Sequence, residues 1–306
     1  MTDSLYHIGV PGQPWGPAEK TLWLSEQKIR RSYHEIVLSR LEAIKTLADV
    51  EQYGELDYQS IGASRYPLYL VKSRNWQAGR PTVLVTGGVH GYETSGVLGA
   101  LAFIEQHIEK YSQQLNVVVA PCISPWGFET INRWNPLAVD PNRSFVENSP
   151  APEAAALLNA LSALLPEIKL HIDLHETTDS DNSEFRPAKA ARDGLVNTNW
   201  NIPDGFYLVG DTEKPAAAFQ QAVIEAVSQV THIAEADDDG RMIGEPLLQH
   251  GVILYAKKQL GLCGGITDAP LVTTTEVYPD SPVTTPEECT AAQVTAICAA
   301  LDYLLA

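Results

Sequence analysis

Thr82-Val83-Leu84-Val85-Thr86-Gly87-Gly88-Val89-His90-Gly91-Tyr92-Glu93 is the stretch on which the reading of this chain turns. The apolar run at 82–85 has the composition of a buried strand. Gly87-Gly88 marks a turn, and a helical pattern follows over about 94–107. The corner between strand and helix presents His90 and, three residues on, Glu93. A histidine and a carboxylate placed there can hold one metal ion from two sides. A catalytic zinc takes three protein ligands and leaves one position open, so a third ligand, a base and a substrate clamp are expected elsewhere in the chain.

Outward from this corner the pattern alternates. Residues 54–61 and 66–72 form two expected strands, a hairpin around Gly62-Ala63-Ser64. Further strands are expected at 115–120, 169–174, 252–255 and 271–277. Helices are expected at 24–50, where Ile29, Tyr33, Ile36, Val37, Leu41 and Ile44 share a face, and at 153–165 and 215–230. The last helix opens with Thr285-Pro286-Glu287-Glu288, in which Thr285 can cap and Glu288 can complete a capping box. Residues 1–23 have the composition of an irregular arm. The stretches 122–149 and 176–205 lack periodicity, and such length usually marks functional loops. This order predicts an α/β fold with a mixed, largely parallel central sheet flanked by helices. One catalytic domain over 1–306 is expected, with the arm and helix of about 1–50 packed on it. Sites in such sheets lie beyond the C-terminal ends of strands, where His90, His175 and Glu276 are all expected to fall.

Three further motifs carry chemistry. In Leu170-His171-Ile172-Asp173-Leu174-His175 the two histidines and Asp173 share a strand face. His175, at the strand end, can turn toward a metal. His171 lies deeper and suits a core position, while Asp173 suits a hydrogen-bonded carboxylate or a support to a ligand. In Val139-Asp140-Pro141-Asn142-Arg143 the Asn-Arg pair suits a carboxylate, which guanidinium binds bidentately. Asp140 can orient a ligand histidine through its other ring nitrogen. In Thr273-Thr274-Thr275-Glu276-Val277 a carboxylate within a β-branched run is costly to bury without a partner. A general base beside activated water would explain it.

A formal net charge of −17 argues against nucleic acid as the main partner, because phosphate binding needs a basic surface. Hydrophobic content of 44% and charged content of 19% suit a globular protein rather than a disordered one. Cys122, Cys263, Cys289 and Cys298 form no CxxC and are expected as buried thiols, not metal ligands. Residues 1–5 show no basic n-region, and no run approaches the ~18–20 apolar residues of a membrane span. A cytoplasmic location is therefore expected, with no membrane partner.

The order HxxE, Asp-x-Asn-Arg, strand-end His and Thr-x-Glu resembles the zinc carboxypeptidases of the carboxypeptidase A type. The four motifs run from His90 to Glu276 in that family's order. The spacing from Glu93 to His175 is closer to the bacterial branch and to the succinylglutamate desuccinylase and aspartoacylase relatives, which are N-acyl amino acid amidohydrolases. The resemblance implies zinc on His90, Glu93 and His175, with Glu276 as general base and proton shuttle. It implies that Arg133 polarises the scissile carbonyl and that Asn142 and Arg143 hold the substrate's terminal carboxylate. Asp140 would support the first zinc histidine. The family's mobile tyrosine would fall on Tyr255, and its specificity residue, after Gly264-Gly265, on Asp268. The implied activity is that of a metallocarboxypeptidase. An N-acyl amino acid deacylase is the alternative, and an inactive binding protein is a third reading that intact Glu276 and Arg133 oppose. Either substrate would carry a free carboxylate.

Overall fold

The computed structural model describes residues 6–306, so the reading of residues 1–5 lies outside the described residues. Among the described residues ten strands form one sheet: β1 (Asp49–Asp57), β2 (Arg65–Lys72), β3 (Thr82–Gly87), β4 (Asn116–Ala120), β5 (Ile168–Glu176), β6 (Tyr207–Asp211), β7 (Arg241–Met242), β8 (Glu245–Gln249), β9 (Val252–Tyr255) and β10 (Leu271–Val277). Their order is β1-β2-β4-β3-β5-β10-β6-β9-β8-β7. The centre, β4-β3-β5-β10, is parallel. β2 joins β4 antiparallel, and β6 joins β10 antiparallel. The sheet is thus mixed and largely parallel at its core, as the alternating pattern implies.

Among the described residues eight α-helices accompany it: α1 (Pro17–Glu26), α2 (Ser39–Ile44), α3 (Thr94–Tyr111), α4 (Pro125–Thr130), α5 (Pro152–Leu161), α6 (Arg186–Asp193), α7 (Ala217–Val227) and α8 (Pro286–Leu305). Alternation along β5 separates two environments. Leu170, Ile172 and Leu174 join an apolar cluster with Val97 and Leu101 of α3 and Ile297 and Leu301 of α8. The other set, His171, Asp173 and His175, carries polar groups. On α5, Ala154, Leu157 and Leu161 pack in a second cluster with Leu84, Val118 and Val272. The expected capping box of α8 forms, with Thr285 Oγ1 accepting from Glu288 N at 3.2 Å and Glu288 Oε2 accepting from Thr285 N at 2.9 Å.

The expected helix over 24–50 is corrected by the structure. The chain is α-helical at α1, leaves the helix after Glu26, makes a π turn at His34–Leu38 and resumes at α2. Residues 49 and 50 already belong to β1. Tertiary hydrogen bonds break the helix. Arg30 N donates to Glu129 O at 2.8 Å, and Arg31 spends its guanidinium on Phe128 O, Gly91 O and Thr94 Oγ1 at 2.6–2.8 Å. Ile29, placed on the buried face by periodicity, is 66% exposed. Part of the supposed irregular arm is α1, whose Pro17 suits a first turn and whose Glu19 accepts from Gly16 N at 2.8 Å. The loop at 176–205 contains a π turn at Asp181–Phe185 and then α6.

The corner after β3 depends on two glycines. Gly88 has φ +62°, which side chains with a Cβ rarely adopt. A Cβ at Gly91 would sit 2.0 Å from the Gly127 carbonyl carbon and from Phe128 N. The His90 corner therefore lies directly against the backbone of α4.

Candidate metal centre

Register brings the polar residues together. β3 and β10 flank β5, with Thr86 opposite Asp173 and Glu276 opposite His175. Parallel neighbours lie about 4.8 Å apart, so the expected base and the expected third ligand are adjacent across one strand gap. His90 and Glu93 follow the C-terminal end of β3 by one turn. All three strand ends open on the same edge of the sheet.

His90 Nδ1 lies 2.7 Å from Glu93 Oε1, and His175 Nδ1 lies 2.6 Å from Glu93 Oε2. His90, Glu93 and His175 are all at most 2% exposed. Their donor atoms lie within 4.8 Å of one another. Each imidazole donates through its other nitrogen to a carboxylate. His90 Nε2 bonds Asp140 Oδ1 at 3.0 Å, and His175 Nε2 bonds Asp173 Oδ2 at 2.9 Å. These contacts orient the rings so that both Nδ1 atoms face Glu93, the usual arrangement behind metal-ligating histidines. Glu93 Oε2 makes no well-aligned hydrogen bond despite its burial. Two imidazole nitrogens and an orphaned carboxylate oxygen make a donor set that fits zinc.

The electrostatics point the same way. Burial alone would raise the Glu93 carboxyl, but His175 and His90 hold it down at about 2. Burial disfavours the His175 imidazolium, yet Glu93 and Asp173 push it well above the ordinary range. The cluster thus stabilises positive charge in a dry place, a charge that a cation can supply instead of protons.

The carboxylates nearby divide the remaining tasks. Glu176 accepts from Thr94 N and Ser95 N at 2.9 and 2.6 Å and so satisfies the first turn of α3. That leaves Glu93, at the helix N-cap, free for the histidines. Gln293 of α8 donates to His175 O at 2.8 Å and fixes the end of β5. Burial raises Glu276 to about 8, with Glu93 and Asp181 adding to the rise and His175 opposing it. Thr177 Oγ1 donates to Glu276 Oε2 at 3.1 Å and lies 2.7 Å from the Tyr207 hydroxyl.

Arg133 donates from Nε to Asp140 Oδ2 at 3.2 Å and from Nη1 to the Tyr92 hydroxyl at 3.3 Å. Its Nη1 is 3.7 Å from Asp181 Oδ1, which also accepts from Tyr92 at 2.9 Å. Tyr92, Asp181, Thr177 and Tyr207 were not singled out from the sequence. Tyr92 stands inside the decisive stretch between Gly91 and Glu93, where its proximity was a usable signal. Asp181 and Thr177 lay in a loop without periodicity, and β6, which carries Tyr207, had no distinctive pattern.

A cavity of about 280 Å³ opens over the cluster, and Arg133, Asn142, Arg143, Tyr255 and Glu276 all line it. Asn142 is nevertheless committed, since its Oδ1 accepts from Cys263 N at 2.8 Å. Arg143 stays exposed at the rim and donates from Nη1 to Asn142 O at 2.6 Å. Burial lifts the Tyr255 hydroxyl to about 12, against the pull of Arg143. Asp268 is the correction. Its side chain is 86% exposed, 3.4 Å from Lys258 Nζ, and it does not line the cavity. The Gly264-Gly265 step turns toward Lys257 instead, where a Cβ at Gly265 would sit 2.6 Å from the Lys257 carbonyl carbon.

The fold is that of the zinc carboxypeptidases. A "putative metallopeptidase" from Shewanella denitrificans OS217 superposes with a TM-score of 0.65 at 18% identity, covering 91% of this chain and 96% of its own. A metallo-carboxypeptidase from Burkholderia cenocepacia gives 0.61 at 16% identity, covering 88% and 68%. In sequence, residues 79–197 match the succinylglutamate desuccinylase/aspartoacylase catalytic domain. The chain thus has a zinc-carboxypeptidase-like fold, and its residues 79–197 are similar to that catalytic domain. It is also 28% identical over 172 residues to "Probable carboxypeptidase 2" of Arthroderma benhamiae, covering 50% of this chain and 31% of the relative. The chain thus spans about a third of the curated relatives it matches. Among the described residues no helix is long and apolar enough to cross a membrane.

Proposed function

We propose that the chain is a zinc metallohydrolase that cleaves the amide bond before a C-terminal amino acid. The convergence of His90 Nδ1, His175 Nδ1 and the orphaned Glu93 oxygen carries this reading. Zinc held by His90, Glu93 and His175 would supply Lewis acidity toward water and the amide carbonyl. Glu276, raised by burial and adjacent to His175 in register, takes the proton of the attacking water at its carboxylate and returns it to the leaving amine. Arg133, held by Asp140 and Asp181, directs its remaining N–H groups at the carbonyl oxygen. Arg143 holds the terminal carboxylate, and Asn142 braces the loop that presents it. Tyr255 lines the same cavity and can close on the substrate.

A second reading, hydrolysis of an N-acyl amino acid, is favoured by the family match over 79–197. Both reactions use the same centre and a free carboxylate. A panel of blocked dipeptides and N-acyl amino acids, scored for released amino acid, separates them. Metal analysis of His90→Ala and His175→Ala tests the centre itself. Full zinc retention in both variants would remove these residues from it.

A further inference from the structure

The reaction proposed above needs one carboxylate to meet the attacking water in a fixed pose, and Glu276 does not fix itself. The last torsion of a glutamate is broad and roughly two-fold, so packing of the stem leaves the carboxylate plane free to turn. Something outside the residue must set that plane. Among the described residues the Glu276 side chain has a single hydrogen bond, accepted at Oε2 from Thr177 Oγ1 at 3.1 Å. The other oxygen, Oε1, is left for water.

Three neighbouring strands bring this bond about. Glu276 of β10 stands opposite His175 of β5 on one side and opposite Tyr207 of β6 on the other. The chain leaves β5 at Glu176, and Thr177 N donates to Val277 O at 3.0 Å, which holds the threonine beside β10. The Tyr207 hydroxyl lies 2.7 Å from Thr177 Oγ1 and has no other partner among the described residues. Counting protons gives the direction of both bonds. An ionised carboxylate only accepts, so Thr177 gives its one hydroxyl proton to Glu276 and accepts from Tyr207. Thr177 is 6% exposed and Tyr207 1%, so water has little access to either hydroxyl, and such bonds are stronger in a dry place.

We propose that Tyr207 and Thr177 are positioning residues, a chain of two hydroxyls that sets the plane of the Glu276 carboxylate and keeps Oε1 free for the attacking water. This rests on the amide-hydrolase reading above and names what holds its base. The proton taken from water sits on Oε1, while Oε2 continues to accept from Thr177. The pose therefore persists until Oε1 returns the proton to the leaving amine. Tyr207 fills the acceptor side of Thr177 and so leaves the threonine proton one direction to point, toward Glu276. Without the chain the carboxylate turns freely, and a misplacement of about 1 Å can cost ~100-fold in rate.

Orientation and turnover are read separately. The carboxylate stretch of Glu276, assigned by difference against Glu276→Gln, is recorded by infrared spectroscopy at pH 10, above the value of about 8 to which burial raises this group. The band should move in Thr177→Val and return in Thr177→Ser, and an unmoved band overturns the proposal. On the blocked dipeptides and N-acyl amino acids that wild type turns over, Thr177→Val should lower kcat by roughly 10- to 100-fold with KM little changed. Thr177→Ser should recover most of that loss. Tyr207→Phe should lower kcat by roughly 3- to 10-fold in wild type, the range of one neutral hydrogen bond. It should cost nothing further when Thr177 is already valine, because the chain is then already cut. Equal losses from Tyr207→Phe in both backgrounds overturn the chain, as does a change confined to KM. Should Thr177→Val not fold, Tyr207→Phe decides alone, and an unmoved band with full kcat overturns the chain. A wild type that hydrolyses nothing on the panel, with the band shift present, would defeat the hydrolase reading while upholding the two hydroxyls as the holders of Glu276.

Discussion

Lys257 offers a quantitative check on the packing behind the metal centre. The side chain is fully buried, and its Nζ donates to Thr274 Oγ1. A Cβ at Gly264 would approach Nζ to 2.9 Å, so the glycine makes room for the amine. Burial lowers the ammonium from 10.5 to about 8, against the attraction of Asp173, Asp211 and Glu276. Above pH 10.5 neither the folded nor the unfolded chain protonates this amine, and it costs nothing. As pH falls from 10.5 to 8 the unfolded chain takes the proton and the folded chain does not, so stability drops. Below pH 8 both states are protonated, and the whole cost is present. At about 1.36 kcal/mol per pH unit the cost is about 3 kcal/mol. Lys257→Met keeps the volume and removes the titration, at a pH-independent loss of the bond to Thr274. Urea unfolding of both proteins between pH 7 and 11 reads the effect, since groups that do not interact with Lys257 cancel in the difference. The variant should gain about 3 kcal/mol on wild type as pH is lowered across that range. A difference that stays constant with pH would refute a buried, depressed lysine.

Other perturbations address the centre. Glu276→Gln should retain zinc and fold while kcat falls by ~10²–10⁴, and an active, metal-loaded variant would remove Glu276 from the reaction. Asp173→Asn leaves His175 without its anionic acceptor and should weaken metal affinity by roughly 10–100-fold, measured by competition with a chelator. Unchanged affinity there would show that the 2.9 Å contact does not orient the ligand. Gly91→Ala places a methyl on the α4 backbone and should cost about 3 kcal/mol or more, together with metal uptake. A normal melting temperature would contradict the close approach.

The local signals in this chain are strong where one strand ends in a turn. The apolar run before Gly87-Gly88, the strand that delivers His175 and the β-branched run holding Glu276 each have a period that sterics enforce over a few residues. Their order along the chain was enough to expect a parallel core, and with it the edge where the polar residues meet. The helix over 24–50 was misjudged because helical periodicity there is real at 33–44, while Arg30 and Arg31 bond residues about a hundred positions away. No local pattern reports such a contact.

His90, Glu93, His175 and Glu276 were candidates from residue type and position at strand ends, and the resemblance supplied the roles proposed for them. Asp268 was drawn from a loose likeness around Gly264-Gly265, and the fold instead turns that step against a buried lysine. Partners from distant segments were decided only in three dimensions: Glu176 on the α3 amides, Thr177 on Glu276, and Gln293 on the His175 carbonyl. Hydrogen bonds and desolvation act over a few ångströms, and strand register determines which side chains come that close. A sequence specifies its donors and acceptors, and the folded backbone determines which of them meet.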